Sequence, residues 1–236
     1  MRLLLISNST NAGEAYLEYP MPEIRNFLGE KALKAVFIPY AGVSISYDAY
    51  YLKVRDRFHS IGQEITSIHQ HSDPVAAIGE ADVIVTGGGN TFRLISLIRE
   101  KSLIEPVRKK VLSGTPYIGW SAGSNVACPS IRTTNDMPIV EPDGFGAFNL
   151  VPFQINPHYL DSNPDGHAGE TREDRINEFL ELNREITVIG LREGTMLRVE
   201  GRVMRLIGKR KARIFKFGQE AEERDEHQDF SKYLLG

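Results

Sequence analysis

The chain has 236 residues, of which 41% are hydrophobic and 25% charged, with a formal net charge of -3 at pH 7. Such a length and balance fit a soluble globular protein with a substantial core, and no basic excess marks a nucleic-acid footprint. A single cysteine, Cys128, excludes an internal disulfide and fits a reducing compartment, and the apolar start at residues 3–6 is too short for a signal peptide or a membrane span. The expected setting is therefore the cytoplasm, with no membrane partner.

Taken in chain order, short β-branched runs alternate with helical patterns. Residues 2–7, 35–39, 64–68, 82–86 and 116–120 predict strands buried on both faces. Residues 47–58, a segment opened by Asp73-Pro74, and residues 91–99 and 103–112 predict helices, with Asp73 as cap and Pro74 in the first turn. This alternation predicts an α/β fold, a doubly wound and mostly parallel sheet whose ligands bind beyond the carboxyl ends of the strands. Residues 130–168 are irregular but carry Phe145, Phe148, Val151 and Phe153, which argues for an ordered functional loop. Thr171 then caps a helix over 171–182, residues 187–191 form a strand, and 196–200 with 202–207 form a C-terminal β-hairpin, followed by a strand over 212–217. Residues 1–217 read as one α/β domain. Residues 218–236 read as a charged tail, solvated or forming a peripheral helix.

Chemistry concentrates at three strand ends. Gly119-Trp120-Ser121-Ala122-Gly123 has the spacing G-x-S-x-G at a strand-to-helix turn. Such an elbow exposes the serine hydroxyl and places it near free amides at a helix start. Gly87-Gly88-Gly89-Asn90-Thr91 follows another strand. Its glycines let the backbone approach a ligand, but neither the Walker spacing and lysine nor G-x-G-x-x-G is present. An oxyanion hole suits it better, with the N–H of Gly89 or Gly88 paired with that of Ala122. Of six histidines, His59, His69, His71 and His227 read as surface residues. His158 ends the run Phe153-Gln154-Ile155-Asn156-Pro157 and is the candidate base, with His167 as rival. Glu193 directly follows the strand at 187–191 and is the candidate orienting acid, against Asp136 and Asp161. Cys128 reads as a packing residue.

These motifs, together with Thr133-Thr134-Asn135-Asp136-Met137-Pro138, Asn156-Pro157-His158 and Gly169-Glu170-Thr171-Arg172, resemble the peptidase E family of α-aspartyl dipeptidases, serine peptidases, from residue 1 to about residue 217. The resemblance implies a fold similar to the class I glutamine amidotransferase (flavodoxin-like) domain, no metal and no cofactor. It also implies hydrolysis of Asp-Xaa dipeptides by a Ser-His-Glu triad, whose roles fall on Ser121, His158 and Glu193. Arg192 stands where the family would have proline, and Ser124 where alanine would be unremarkable.

A site for an Asp-Xaa dipeptide needs a cation for the side-chain carboxylate and an anion for the free ammonium. Arg172 is the expected carboxylate reader, because its planar fork matches two oxygens, with Arg132 and Arg93 as alternatives. Asp136 is expected to take the ammonium, and Asn90 to add a hydrogen bond to the aspartate. The expected partner is a small peptide, and the expected state a monomer or homodimer. Two other readings stay open: a cyanophycinase-like hydrolase of aspartate-arginine polymer, and a non-catalytic small-ligand binding domain.

Overall fold

The computed structural model describes residues 1–163, 166 and 168–235. Its first half runs β1 (Arg2–Ile6), α1 (Met21–Leu28), β2 (Lys34–Ile38), α2 (Tyr47–His59), β3 (Glu64–Ser67), α3 (Pro74–Glu80), β4 (Val83–Thr86), α4 (Thr91–Glu100), α5 (Ile104–Leu112), β5 (Tyr117–Trp120) and α6 (Ala122–Asn125). β6 (Gln154–Pro157), α7 (Arg172–Glu181), β7 (Val188–Leu191), β8 (Met196–Glu200), β9 (Val203–Ile207), β10 (Ala212–Phe215) and β11 (Glu222–Arg224) follow.

Seven strands form one sheet in the order β3-β2-β4-β5-β1-β8-β9. The first five are mutually parallel, and the β8-β9 hairpin extends the β1 edge antiparallel. Parallel strands need covered faces, and their side chains divide accordingly. Leu3, Leu5, Val36, Ile38, Ile84 and Tyr117 enter one core, while Leu4, Ile6, Phe37, Val83, Val85 and Ile118 enter the other. The nearly continuous apolar runs are thus explained: both members of each alternating pair are buried.

The sequence reading misses α1, whose first turn holds Pro22, two residues after Pro20 at the cap position. Proline there is compatible with a helix start. Met21, Ile24, Phe27 and Leu28 make its buried stripe.

A second sheet, in the order β11-β10-β7-β6, stands apart from the first. β6 and β7 are parallel, with Ile155 opposite Ile189 and Pro157 opposite Leu191. α7 packs Ile176 and Leu180 against Val188, Phe215 and Tyr159. Thr171 caps α7 in a full capping box with Asp174, as its spacing predicts.

Of the two expectations for the tail, solvation is corrected, while a short helix does form over Ser231–Leu235. β11 pairs with β10, and Phe230 and Tyr233 are buried, Phe230 completely. These two aromatic anchors outweigh the charge around them, and Arg224, 14% exposed, lies over the Tyr233 ring.

Candidate active site

The elbow at Ser121 is built by close approach. Added Cβ atoms at Gly119 and Gly123 would collide with the Gly123 and Thr86 carbonyl groups respectively. Only glycine lets β5 turn into α6 this tightly against β4. Ser121 sits in the turn with φ 53° and ψ -114°, a conformation that costs a non-glycine residue free energy unless its surroundings enforce it. Here they do. Ser121 N–H donates to the Ile6 carbonyl at 3.0 Å, and the buried Ser124 hydroxyl lies 2.7 Å from the same oxygen and 2.8 Å from Gly119 O.

His158 follows β6 and also has positive φ, 53°. Its Nε2 lies 2.9 Å from Ser121 Oγ and its Nδ1 lies 2.7 Å from Glu193 Oε1. An unbroken line therefore runs from hydroxyl to imidazole to carboxylate, with side-chain exposures of 39% for His158 and 43% for Glu193. Asp161 and Asp136, the rival acids, bond elsewhere: Asp161 pairs with Arg192, and Asp136 caps α4. His167, the rival base, lies outside the described residues. His59, His71 and His227 are exposed.

Two residues that sequence reasoning passed over fix this line. Ser7, at the end of β1, accepts from His158 N–H at 3.0 Å and donates to Leu191 O at 2.7 Å, so one hydroxyl joins the ends of β1, β6 and β7. Asn8 Oδ1 accepts from Gly194 N–H at 2.8 Å and from the Tyr19 hydroxyl at 2.7 Å, which anchors the turn carrying Glu193. Burial pushes the Tyr19 phenol well above its ordinary range, and the nearby Glu193 charge adds to this, so Tyr19 stays a neutral donor. The available signal was two polar residues, fully buried, directly after an apolar strand.

The glycine loop lies over Ser121. A Cβ on Gly88 would stand 3.0 Å from Ser121 Cβ, and one on Gly89, at φ 133°, would collide with Ala41 O. The amides of Gly87 and Asn90 are used by Ile38 O and Ala41 O, whereas those of Gly88, Gly89 and Ala122 donate to no carbonyl among the described residues. Tyr50 hydroxyl donates to Gly88 O at 2.9 Å and accepts from Trp120 Nε1 at 3.2 Å. Because C=O and N–H point oppositely across a trans peptide, this bond turns the Gly89 N–H away from Tyr50.

The two glycines, Ser121 and His158 line a cleft of about 610 Å³. Asn90 also lines it, but its side chain accepts from Arg93 N–H at 3.0 Å and donates to Met137 O at 2.9 Å, so it serves as the cap of α4. Asp136 and Arg172 share a separate cleft of about 150 Å³. Asp136 Oδ2 accepts from Thr91 N–H at 2.7 Å, Thr91 Oγ1 at 2.6 Å and Thr134 Oγ1 at 3.2 Å, while Oδ1 makes no hydrogen bond among the described residues. Arg172 is half-buried and has no ion pair among the described residues. Desolvation, with the neighbouring Arg175 charge, lowers its pKa, and Asp136 opposes this. A cation so placed calls for an anion. Asn135, in the same cleft, donates to Pro157 O at 2.6 Å, one residue before His158. Arg132 borders this cleft but is exposed and lies over the Phe179 ring.

A second line, Ser67 Oγ to His69 Nδ1 at 2.6 Å and His69 Nε2 to Asp48 Oδ1 at 2.9 Å, mimics the first. Ser67 is fully buried, so no substrate can reach its hydroxyl. His69 is accordingly a packed residue, 16% exposed, and not the surface residue expected. Cys128 is buried, and burial pushes its thiol up to about 12, which leaves it inert as a nucleophile. Among the described residues, no three His, Cys, Asp or Glu side chains converge to hold a metal ion, and no helix is long and apolar enough to cross a membrane.

Arg192 uses its whole fork. It binds Asp161 through Nε at 2.9 Å and through Nη2, binds Glu223 at 2.7 and 2.9 Å, donates to Lys211 O and lies over the Tyr159 ring. It therefore ties the loop after His158 to β11 from the position beside Glu193. The Arg192 hydrogen bonds hold both carboxyls below the usual range. Depressed carboxyl pKa values contribute stability above the unfolded value, and that contribution disappears as pH falls through the folded value. Arg192→Met should thus lower stability at pH 7 by about 1–3 kcal/mol, a range held down by the 59% exposure of Asp161. It should also flatten the loss of stability between roughly pH 5 and 2. Chemical denaturation across that range measures both; an unchanged acid slope would mean that the ion pairs contribute nothing.

The sequence model of peptidase family S51 matches residues 3–207. The chain is 54% identical to peptidase E of Nostoc sp. over 99% of its own length and 96% of that protein. It is 50% identical to peptidase E of Salmonella typhimurium over 94% and 96%. Its fold is similar to that of a peptidase from an acI-B1 Actinobacterium, with a TM-score of 0.67 at 16% identity over 97% of this chain and 96% of the other.

Proposed function

We propose that the chain, which belongs to peptidase family S51 and is a serine peptidase, removes N-terminal aspartate from Asp-Xaa dipeptides through an acyl-enzyme on Ser121. The observation that carries the mechanism is the line Ser121 Oγ–His158 Nε2–Glu193 at 2.9 and 2.7 Å. Ser121 Oγ attacks the scissile carbonyl as its proton passes to His158 Nε2. Glu193 holds the Nδ1–H tautomer and offsets the imidazolium charge. The tetrahedral oxyanion is taken up by the uncommitted amides of Ala122 and of Gly88 or Gly89. His158 then protonates the leaving amine, the C–N bond breaks, and water activated by the same imidazole attacks the ester to release aspartate.

Selection of aspartate is assigned to the smaller cleft. Arg172, without an ion pair of its own, reads the side-chain carboxylate, and Asp136 Oδ1 accepts from the free ammonium. Asn90 supports this side indirectly by holding the Met137 segment. The unpaired Cys128 suits a cytoplasmic setting.

Rates on Asp-Leu, Glu-Leu, Asn-Leu and N-acetyl-Asp-Leu test the reading, which requires strong preference for free Asp-Leu. Arg172→Ala extends it. Loss of the fork should cost roughly 2–5 kcal/mol of transition-state binding, or about 30-fold to a few thousand-fold in kcat/KM for Asp-Leu. The weak reaction with Asn-Leu should change much less, and Arg172→Lys should recover little. Equal proportional losses on both substrates would assign Arg172 to the start of α7 and leave the aspartate without its reader.

A further inference from the structure

The cleft that contains Ser121 and His158 has a second chemical end. Its walls are largely aromatic and aliphatic, and apart from the imidazole its one charged residue is Lys53, with no acid among the lining side chains. Lys53 projects from α2, three residues after Tyr50. It makes no hydrogen bond or ion pair among the described residues, and its ammonium lies over the Tyr16 ring, 5.2 Å from the centroid. Tyr16 is held in turn, edge-on to Trp120 at 6.5 Å and with its hydroxyl 3.4 Å from that of Tyr50. The aromatic face confines an otherwise mobile cation to the rim of the reactive cleft.

We propose that Lys53 binds the C-terminal carboxylate of the dipeptide, so that the Lys53 cleft receives the leaving residue. This rests on the dipeptidase reading above. With the aspartyl side chain and ammonium assigned to the Arg172–Asp136 cleft, the one remaining charge on Asp-Leu is the carboxylate of its second residue. That carboxylate stands a single Cα from the scissile nitrogen and must lie close to Ser121 and His158. The apolar walls suit the side chain of the leaving residue, and the unpaired ammonium suits its carboxylate. Lys53 would then distinguish a dipeptide, which ends at this point, from a longer peptide, which presents a neutral amide there. A lysine at an exposed rim is a modest contributor, so the effect is one of selectivity and does not decide the chemistry.

The test compares kcat/KM for Asp-Leu and Asp-leucinamide in the wild type, Lys53→Met and Lys53→Arg. Wild type should favour the acid. Lys53→Met should lose about tenfold on Asp-Leu and stay within about twofold on the amide, and Lys53→Arg should keep most of the preference. Equal losses on acid and amide, or a loss that tracks Asp against Asn, would overturn the assignment; the latter would make Lys53 a reader of the aspartate side chain. Both substrates share their N-terminal residue, so a wild type indifferent to Asp over Asn refutes the aspartate reading while the acid-amide comparison still decides Lys53. Calorimetric titration of the same two ligands into Ser121→Ala, with and without Lys53→Met, reads the contact without turnover. Equal weakening of both ligands there would also overturn it.

Discussion

Ser121→Ala is expected to lower kcat by about 10⁴-fold or more while leaving the fold intact. The hydroxyl is the attacking atom, and neither Ser124 nor Cys128, the potential nucleophiles that follow it in the chain, can replace it. Ser124 has its hydroxyl between two carbonyls, and Cys128 is buried as a neutral thiol with Sγ accepting from Ile155 N–H. The strained backbone at position 121 is imposed by Gly119, Gly123 and the bond to Ile6 O, none of which depends on the side chain. Alanine therefore inherits the same conformation, and denaturation curves of the two proteins should nearly superimpose. Single-turnover measurements on Asp-Leu check the prediction. Activity within tenfold of wild type would mean that another group attacks or that water does so directly, and would overturn an acyl-enzyme on Ser121.

Much of this site is legible in the sequence because each reacting residue follows a strand, and strands buried on both faces announce themselves by composition. Ser121, His158 and Glu193 each stand just beyond β5, β6 and β7. What the sequence does not disclose is which ends converge. The strand order brings β1 beside β5, and Ser7 then joins β1 to the ends of β6 and β7, a contact between residues 151 and 184 positions apart. Periodicity has no access to such pairings. The positive φ of His158 is equally hidden, because tertiary contacts impose it. Lys53 was invisible for a different reason: a lysine in a polar helix is ordinarily solvated, and only the fold places this one at the rim of the cleft that holds Ser121. Asn90 shows the converse. Its position after the glycine loop suggests a ligand contact, yet capping α4 and holding Met137 engage both ends of its amide. The charged C-terminal segment misleads by average composition, since two aromatic residues suffice to seat it.

His158→Ala should reduce kcat as severely as loss of the serine, about 10⁴-fold or more, because hydroxyl and imidazole act as one unit. The double variant Ser121→Ala/His158→Ala should then be scarcely worse than either single one. This non-additivity separates a shared proton path from two independent contributions. Glu193→Gln should be milder, about 10²-fold. The carboxylate is 43% exposed, so water partly replaces its charge once it is removed. The amide nonetheless offers a donor as readily as an acceptor to Nδ1 and weakens the preference for the tautomer that leaves Nε2 free to accept from Ser121. Steady-state rates for the three variants and the double variant give the answer. If His158→Ala kept more than about a hundredth of wild-type activity, or if the double variant lost the product of the two single effects, the imidazole would not be the base for Ser121. The 2.9 Å contact would then be a structural hydrogen bond that holds the end of β6 against the elbow.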